Sequence, residues 1–191
     1  MIDVKIFPLG RLMANCCLLT DGSDGAVVVD PGGDPSVLLS YLERNGLRCL
    51  AILLTHGHDD HTGGVEALRK ATGAPVLIGE GDADRLEKEA DILLKGGEIL
   101  TYGGITLEVI AAPGHTPGGL CYLTDGYLFA GDTLFRRSVG RTDLPGGDWD
   151  RLTDTLAKLV ERFRDYDVVV IPGHGMTTDF KYETENNPFL L

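Results

Sequence analysis

All five histidines of this 191-residue chain stand in short, glycine-flanked segments that close apolar runs: His56, His58 and His61 in THGHDDH, His115 in PGHTPG and His174 in PGHG. A lone histidine is usually a satisfied core or surface residue, but imidazole is also the commonest metal ligand, and five of five in such positions point to a metal cluster. His56 and His58 are two residues apart, not the four that would place both on one helix face. THGHDDH is therefore read as a loop, in which Gly57 lets the backbone fold tightly enough for both imidazoles to face one ion, while Asp60 and His61 continue toward a second position. His115, His174 and Asp132 come from distant segments. Asp132 stops the apolar run in FAGDTLF, and its carboxylate could bridge two cations about 3.5–4 Å apart. The donors are nitrogen and oxygen without thiolate, which suits zinc, iron or manganese alike.

Such a cluster needs rigid elements beneath it. Residues 2–7, 14–20 and 26–30 read as strands, and Asp34-Pro35 opens a helix carrying Val37, Leu38, Tyr41 and Leu42 until Asn45-Gly46 stops it. A buried strand covers 48–55, a helix starts near Thr62 and ends at Gly73, and a strand follows at 75–78. The charged stretch GEGDADRLEKEADILLKGGE reads as an exposed helix plus loop with no catalytic role. Strands at 105–111, 119–124 and 127–130 come in quick succession. Asp148 then caps an amphipathic helix with Trp149, Leu152, Leu156, Leu159, Val160 and Phe163 on its core face. A strand at 167–171 runs into Pro172-Gly173-His174, and Asn187-Pro188 marks a turn or helix end. The interleaving places the chain in a mixed α/β class (α+β by some schemes), and the hairpin-like neighbours argue against a purely parallel sheet. Pro113-Gly114-His115 and Pro172-Gly173-His174 form a faint internal echo, consistent with two similar halves.

The 26 glycines are about twice the usual share of roughly 7%. They gather just after strand-like runs, so strand ends are the expected working edge. With 17 Lys+Arg against 29 Asp+Glu the net charge is −12, which disfavours nucleic acid as a partner, RNA processing included. No apolar run approaches the roughly 18 residues of a membrane span. Asp3 and Lys5 interrupt what would be the apolar core of a secretion signal, so no membrane partner and a cytoplasmic location are expected. Cys16, Cys17, Cys49 and Cys121 lack metal or disulfide spacing and read as small buried hydrophobes.

In order, THGHDDH (55–61), PGHTPGG (113–119), FAGDTLF (129–135) and IPGHG (171–175) resemble the metallo-β-lactamase superfamily, and within it the hydroxyacylglutathione hydrolases of the glyoxalase II type. VDPGG (29–33), SVGRTDLPGG (138–147) and the ending NNPFLL look like the short bacterial forms of that group. The resemblance spans nearly the whole chain. It implies a four-layer αβ/βα sandwich in a single domain, 1–191, without the helical C-terminal domain with which full-length glyoxalase II grips glutathione. It also implies two divalent metal ions, zinc first, with iron or manganese as alternatives. His56, His58 and His115 would hold one ion and Asp60, His61 and His174 the other, with Asp132 shared. A bridging hydroxide would then be the nucleophile attacking a thioester, with Asp60 orienting it. Asp30 has two readings, a turn former or a partner that orients a ligating histidine.

The chain departs from that pattern in places. Gly119 replaces the last histidine of G-H-T-x-G-H, a position not expected to bind metal. Arg141 matches the family's substrate-contacting lysine, whereas Asp143 stands where an aromatic is usual. Arg136, Arg137 and Arg141 could still collect a small anionic acyl-thiol. The leading expectation is thus a binuclear hydrolase of thioesters of the S-lactoylglutathione type. The alternatives are a mononuclear iron persulfide dioxygenase, whose family shares G-R-T-D and would use His56, His115 and Asp132, and a non-catalytic metal- or thiol-binding module. β-Lactam hydrolysis is possible on the same scaffold, but the lack of an export signal argues against it. Oligomeric state is left open.

Overall fold

Strands that are buried on both faces need apolar residues at every position, not at alternate ones. That explains runs such as Ala26–Val29 and residues 50–54. In the computed structural model, which describes residues 1–190, they lie in the middle of a layered core. The first sheet orders β1 (Asp3–Leu9), β2 (Ala14–Thr20), β3 (Gly25–Val29), β4 (Arg48–Leu53), β5 (Val76–Gly79) and β6 (Ile92–Leu94). Its first three strands are antiparallel and its last four parallel. The second sheet holds β7 (Ile99–Tyr102), β8 (Ile105–Ala111), β9 (Leu120–Thr124), β10 (Tyr127–Gly131), β13 (Val169–Pro172) and β14 (Thr178–Asp179), in the order β14-β13-β10-β9-β8-β7. A separate hairpin joins β11 (Leu134–Phe135) to β12 (Ser138–Val139).

Alternate residues of each strand serve two different cores. Leu19, Val27, Val29, Leu53 and Leu77 face Leu107, Val109, Tyr122, Phe129 and Ile171 between the sheets. Leu18, Val28, Ile52 and Ile78 instead pack under α1 (Ser36–Arg44) and α3 (Val65–Thr72). Cys121, Leu128 and Val170 pack under α4 (Trp149–Phe163) and α5 (Phe180–Asn186). The result is the mixed α/β, four-layer αβ/βα sandwich that the resemblance implies. Among the described residues no helix is long and apolar enough to cross a membrane.

Several local expectations are corrected. THGHDDH is not loop throughout, because α2 (Asp59–Thr62) is a helical turn in which the His61 and Thr62 amides bond the His58 carbonyl. Asp59 and Asp60 favour this turn by standing at its positive end. The charged stretch after β5 is not an exposed helix but a 3-10 turn (Glu80–Arg85) followed by the edge strand β6. The Asp91 carboxylate ties this return to the Val76 amide and to Arg69, so sheet pairing wins over helical periodicity. Trp149, expected on the core face of its helix, is exposed, and so is Val37. Asp34 does accept from the Ser36 amide, as a helix-starting residue should. The two Pro-Gly-His loops follow β8 and β13 of the same sheet, so their echo does not relate the two halves. Cys16, Cys17 and Cys121 are buried free thiols, and burial pushes Cys121 up to about 12.

The sheets are joined at one edge by polar bonds as well as by packing. The Leu120 amide donates to the Thr55 carbonyl at 2.7 Å, and the buried Tyr122 hydroxyl donates to the Leu54 carbonyl at 2.7 Å. Tyr122→Phe should lower stability by about 1 kcal/mol, read as a fall in the urea midpoint of the metal-free protein at unchanged m-value. An unchanged midpoint would show that this seam contributes nothing.

Candidate metal centre

β3 and β4 run parallel, β10 and β13 run parallel, and β8 points the same way as β10 because each is antiparallel to β9. The segments that leave their C-terminal ends therefore meet at one edge of the sandwich. They carry Asp30 after β3, the three histidines and Asp60 after β4, His115 after β8, Asp132 after β10 and His174 after β13. Loops at such strand ends are where layered α/β folds usually place ligands. Three bonds draw in the last of these loops: the Asn15 amide donates to the Gly173 carbonyl, and Asn15 Nδ2 donates to the Pro172 and Gly175 carbonyls. Gly173 has to be glycine, since a Cβ there would lie 2.1 Å from Asp132 Oδ1.

One nitrogen of four of the imidazoles is engaged away from the centre. His61 Nδ1 faces the buried Asp30 carboxylate at 2.9 Å, His115 Nδ1 the Arg141 carbonyl at 2.6 Å and His174 Nδ1 the Leu12 carbonyl at 3.1 Å. His56 Nδ1 lies 3.1 Å from Thr55 Oγ1, which itself donates to Asp30. These acceptors hold the proton on Nδ1 and leave the Nε2 lone pairs turned inward. There His61 Nε2 and His174 Nε2 lie 3.3 Å apart, and His115 Nε2 and His58 Nδ1 lie 2.9 Å apart. Asp132 stands between the two groups, with Oδ2 3.5 Å from His115 and Oδ1 3.4 Å and 3.7 Å from His61 and His174. Asp60 Oδ2 is 3.0 Å from His174 Nε2.

Facing lone pairs are not hydrogen bonds, and among the described residues His56 Nε2 and Asp132 Oδ1 are buried without a hydrogen-bond partner. Cations resolve both conflicts at once. His56, His58 and His115 form one group whose ligand atoms lie within 4.8 Å of one another, and Asp60, His61 and His174 form a second. The donor set therefore fits divalent metal ions. The electrostatics agree. Burial lowers the His61 pKa, but the Asp30 and Asp132 carboxylates outweigh it and lift it to about 10, so this point of the site attracts positive charge. His56, deeply buried among other imidazoles, is driven well below its ordinary value, as a neutral ligand should be. Burial, His115 and Arg85 lower His58 in the same direction. The His174 contact pulls Asp60 down to about 2.

His58, Asp60, His115, Asp132 and His174 open into a cavity of about 640 Å³ that is also lined by Leu12, Gly57, Asp59, Arg85, Arg141 and Leu144. Arg141 reaches it, but its Nε and Nη2 both donate to Asp143, at 2.6 and 2.7 Å. Arg136 lies over the Tyr182 ring and the Arg137 amide donates to Glu183; neither residue lines the cavity. Asp30 turns the chain at φ 52°, and its carboxylate reaches His61 Nδ1.

Sequence reasoning missed Asp82 and Arg85, in the stretch taken as silent. The buried Asp82 carboxylate accepts from the Gly57 amide at 2.9 Å and from the Gly118 amide at 2.8 Å, joining the His56–His58 loop to the His115 loop. Gly57 is needed for a reason other than tight folding: a Cβ there would lie 2.8 Å from Arg85 Cβ and Cδ. The available signal was positional, since GEGDADR follows β5 just as the histidine loops follow their strands. Asp82→Ala should cost about 1–3 kcal/mol for each of the two amides left without a partner, measured by urea unfolding of the metal-free protein. A loss below 1 kcal/mol would show that Asp82 does not hold these loops.

The sequence profile described as the Metallo-beta-lactamase superfamily matches residues 9–174. The chain is 32% identical to the hydroxyacylglutathione hydrolase GloC of Haemophilus influenzae over 99% of this chain and 98% of that one. Among solved structures, BLEG-1, described as a B3 metallo-β-lactamase, is similar at a TM-score of 0.91 and 37% identity, covering 98% and 99% of the two chains. ETHE1 from Myxococcus xanthus is similar at 0.86 and 27%, covering 97% and 83%. TTHA1623 in a di-iron-bound form is similar at 0.84 and 35%, covering 97% and 100%.

Proposed function

Since this chain belongs to the metallo-β-lactamase superfamily, we propose that it is a binuclear metal-dependent hydrolase of small thioesters, acting on acyl-thiols of the S-lactoylglutathione type. The observation that carries this reading is that both donor groups around Asp132 are complete, one beside each carboxylate oxygen. A single redox-active iron would need only one of them. In this reading His56, His58 and His115 hold one cation, Asp60, His61 and His174 the other, and Asp132 is shared. Zinc is the first candidate, and iron and manganese fit the same donors. The likeness to a hydroxyacylglutathione hydrolase supports the substrate class.

Cations bound here would lower the pKa of a water to about 7 and polarise a carbonyl oxygen. Asp60 stays ionised at neutral pH and accepts the hydrogen bond that orients the attacking water. Asp30, through His61 Nδ1, keeps that imidazole turned with Nε2 inward, and Thr55 does the same for His56. Leu12 and Leu144 give the cavity an apolar wall for the acyl-thiol. The attacking oxygen bonds the carbonyl carbon, the C–S bond breaks, the sulfur leaves with the electron pair, and the proton given up by the attacking water ends on the leaving thiol.

A second reading, the mononuclear iron persulfide dioxygenase, is favoured by the likeness to ETHE1 from Myxococcus xanthus. Metal analysis of protein purified without added metal, paired with assays on the same preparation, separates the two. The hydrolase reading expects about two ions per chain and turnover of S-lactoylglutathione. Removing the ions with a chelator should abolish that turnover, and His58→Ala or Asp132→Ala should each lower kcat/KM at least about 100-fold. About one iron per chain, no thioester turnover and oxygen uptake with glutathione persulfide would overturn it. Nitrocefin hydrolysis without thioester turnover would redirect it to β-lactams.

A further inference from the structure

Cations held by the histidine cluster would face the thioester, so a second anionic group on the ligand needs its own positive partner elsewhere on the cavity wall. Two arginines line it, and they are not equivalent. The Arg141 guanidinium is engaged edge-on by the Asp143 carboxylate through two short bonds, with both side chains mostly exposed. Its charge is matched locally, and the Nε–Nη2 edge, one of the two edges with which a guanidinium grips a carboxylate in a fork, is already occupied.

Arg85 is held differently. Its stem lies across Gly57 and its side chain is three-quarters buried. Nη2 donates to the Pro145 carbonyl at 2.7 Å, its one hydrogen bond among the described residues. The nearest carboxylate, Asp82, is 3.6 Å from Nε, and both of its oxygens already accept from the Gly57 and Gly118 amides. A neutral carbonyl and a shared carboxylate fix the orientation of the guanidinium without using up its donors. Arginine so held loses little side-chain freedom when it binds an anion.

We propose that Arg85, rather than Arg141, selects the substrate, by binding a carboxylate on the thiol portion of an anionic acyl-thiol while the thioester lies at the histidine cluster. The identity of the thiol rests on the hydrolase reading; the anion contact rests on the engagement of the two arginines. Arg85 sits on the 3-10 turn beside the His56–His58 loop, so the anion is read at a fixed place relative to that loop. Thiols without a carboxylate are then bound without this contact.

Binding of two non-hydrolysable thioethers to the metal-loaded protein tests this by calorimetry. S-methylglutathione carries carboxylates, and S-methyl-N-acetylcysteamine carries no charge. Arg85→Gln should weaken S-methylglutathione at least about 10-fold, the loss expected of a charge-assisted hydrogen bond, and leave the uncharged probe within two-fold. Arg85→Lys, which keeps the charge and fills the same space over Gly57, should fall between wild type and Arg85→Gln, and it serves alone if the glutamine variant does not fold. Equal affinity of wild type and variants for S-methylglutathione overturns the proposal, as does absence of S-methylglutathione binding to the wild type. Because no bond breaks in this assay, loss of the hydrolase reading and loss of this contact are told apart. Thioester turnover with Arg85-independent binding removes only the contact, and Arg85-dependent binding without turnover removes only the hydrolysis.

Discussion

Imidazole nitrogens that point their lone pairs at one another repel, and a protein that forces them together must hold each ring from behind. Here four of the five rings are held by outward hydrogen bonds from Nδ1, to Asp30, Leu12, Arg141 and Thr55, each offered by a residue on a different segment. The rest of the fold can be understood as the means of bringing those acceptors into place. A backbone carbonyl cannot be moved without moving its strand end, so the ring orientations are as rigid as the sandwich itself.

Hydrogen bonds join the two sheets where this hold is needed. The Tyr122 hydroxyl, the Leu120 amide and the Asn15 side chain all bond across segments at that edge, whereas the centre of the sandwich is joined by apolar packing alone. Hydrophobic contact is non-directional and would tolerate a small slide of one sheet over the other. Hydrogen bonds to fixed carbonyls would not. The seam therefore converts a general affinity between two apolar faces into a defined spacing between the His56–His61 segment on one sheet and His115, Asp132 and His174 on the other.

The centre is also a charge balance. Asp30, Asp60 and Asp132 bring negative charge to a region where His56 and His61 are buried, and the lifted pKa of His61 registers the imbalance. Divalent cations answer it in a way that protons cannot, since they satisfy the facing nitrogens and the carboxylates together. Around this centre the wall is uneven, apolar at Leu12 and Leu144 and cationic at Arg85, which gives an entering molecule a preferred direction.

The strand-end histidines and Asp132 were legible in the sequence because loops that leave co-directional strands converge, and glycine and proline mark where each strand stops. The buried strands and α4 were legible from apolar runs and helical spacing. Strands of two residues, such as β11, β12 and β14, leave no periodic trace, and the stretch after β5 misled because its charges repeat at helical spacing while Asp82 and Asp91 bind backbone amides far away. Residue types and order along the chain thus determined which side chains could bind metal and where the longer buried strands and α4 lie. Only the tertiary structure decided which nitrogen of each ring faces inward, that Asp143 holds Arg141 through two short bonds while Arg85 meets Asp82 only at 3.6 Å, and that Gly57 makes room for that arginine. Those are relations between segments with no local propensity to signal them, set by hydrogen bonds and close packing that exist only once the sheets have met.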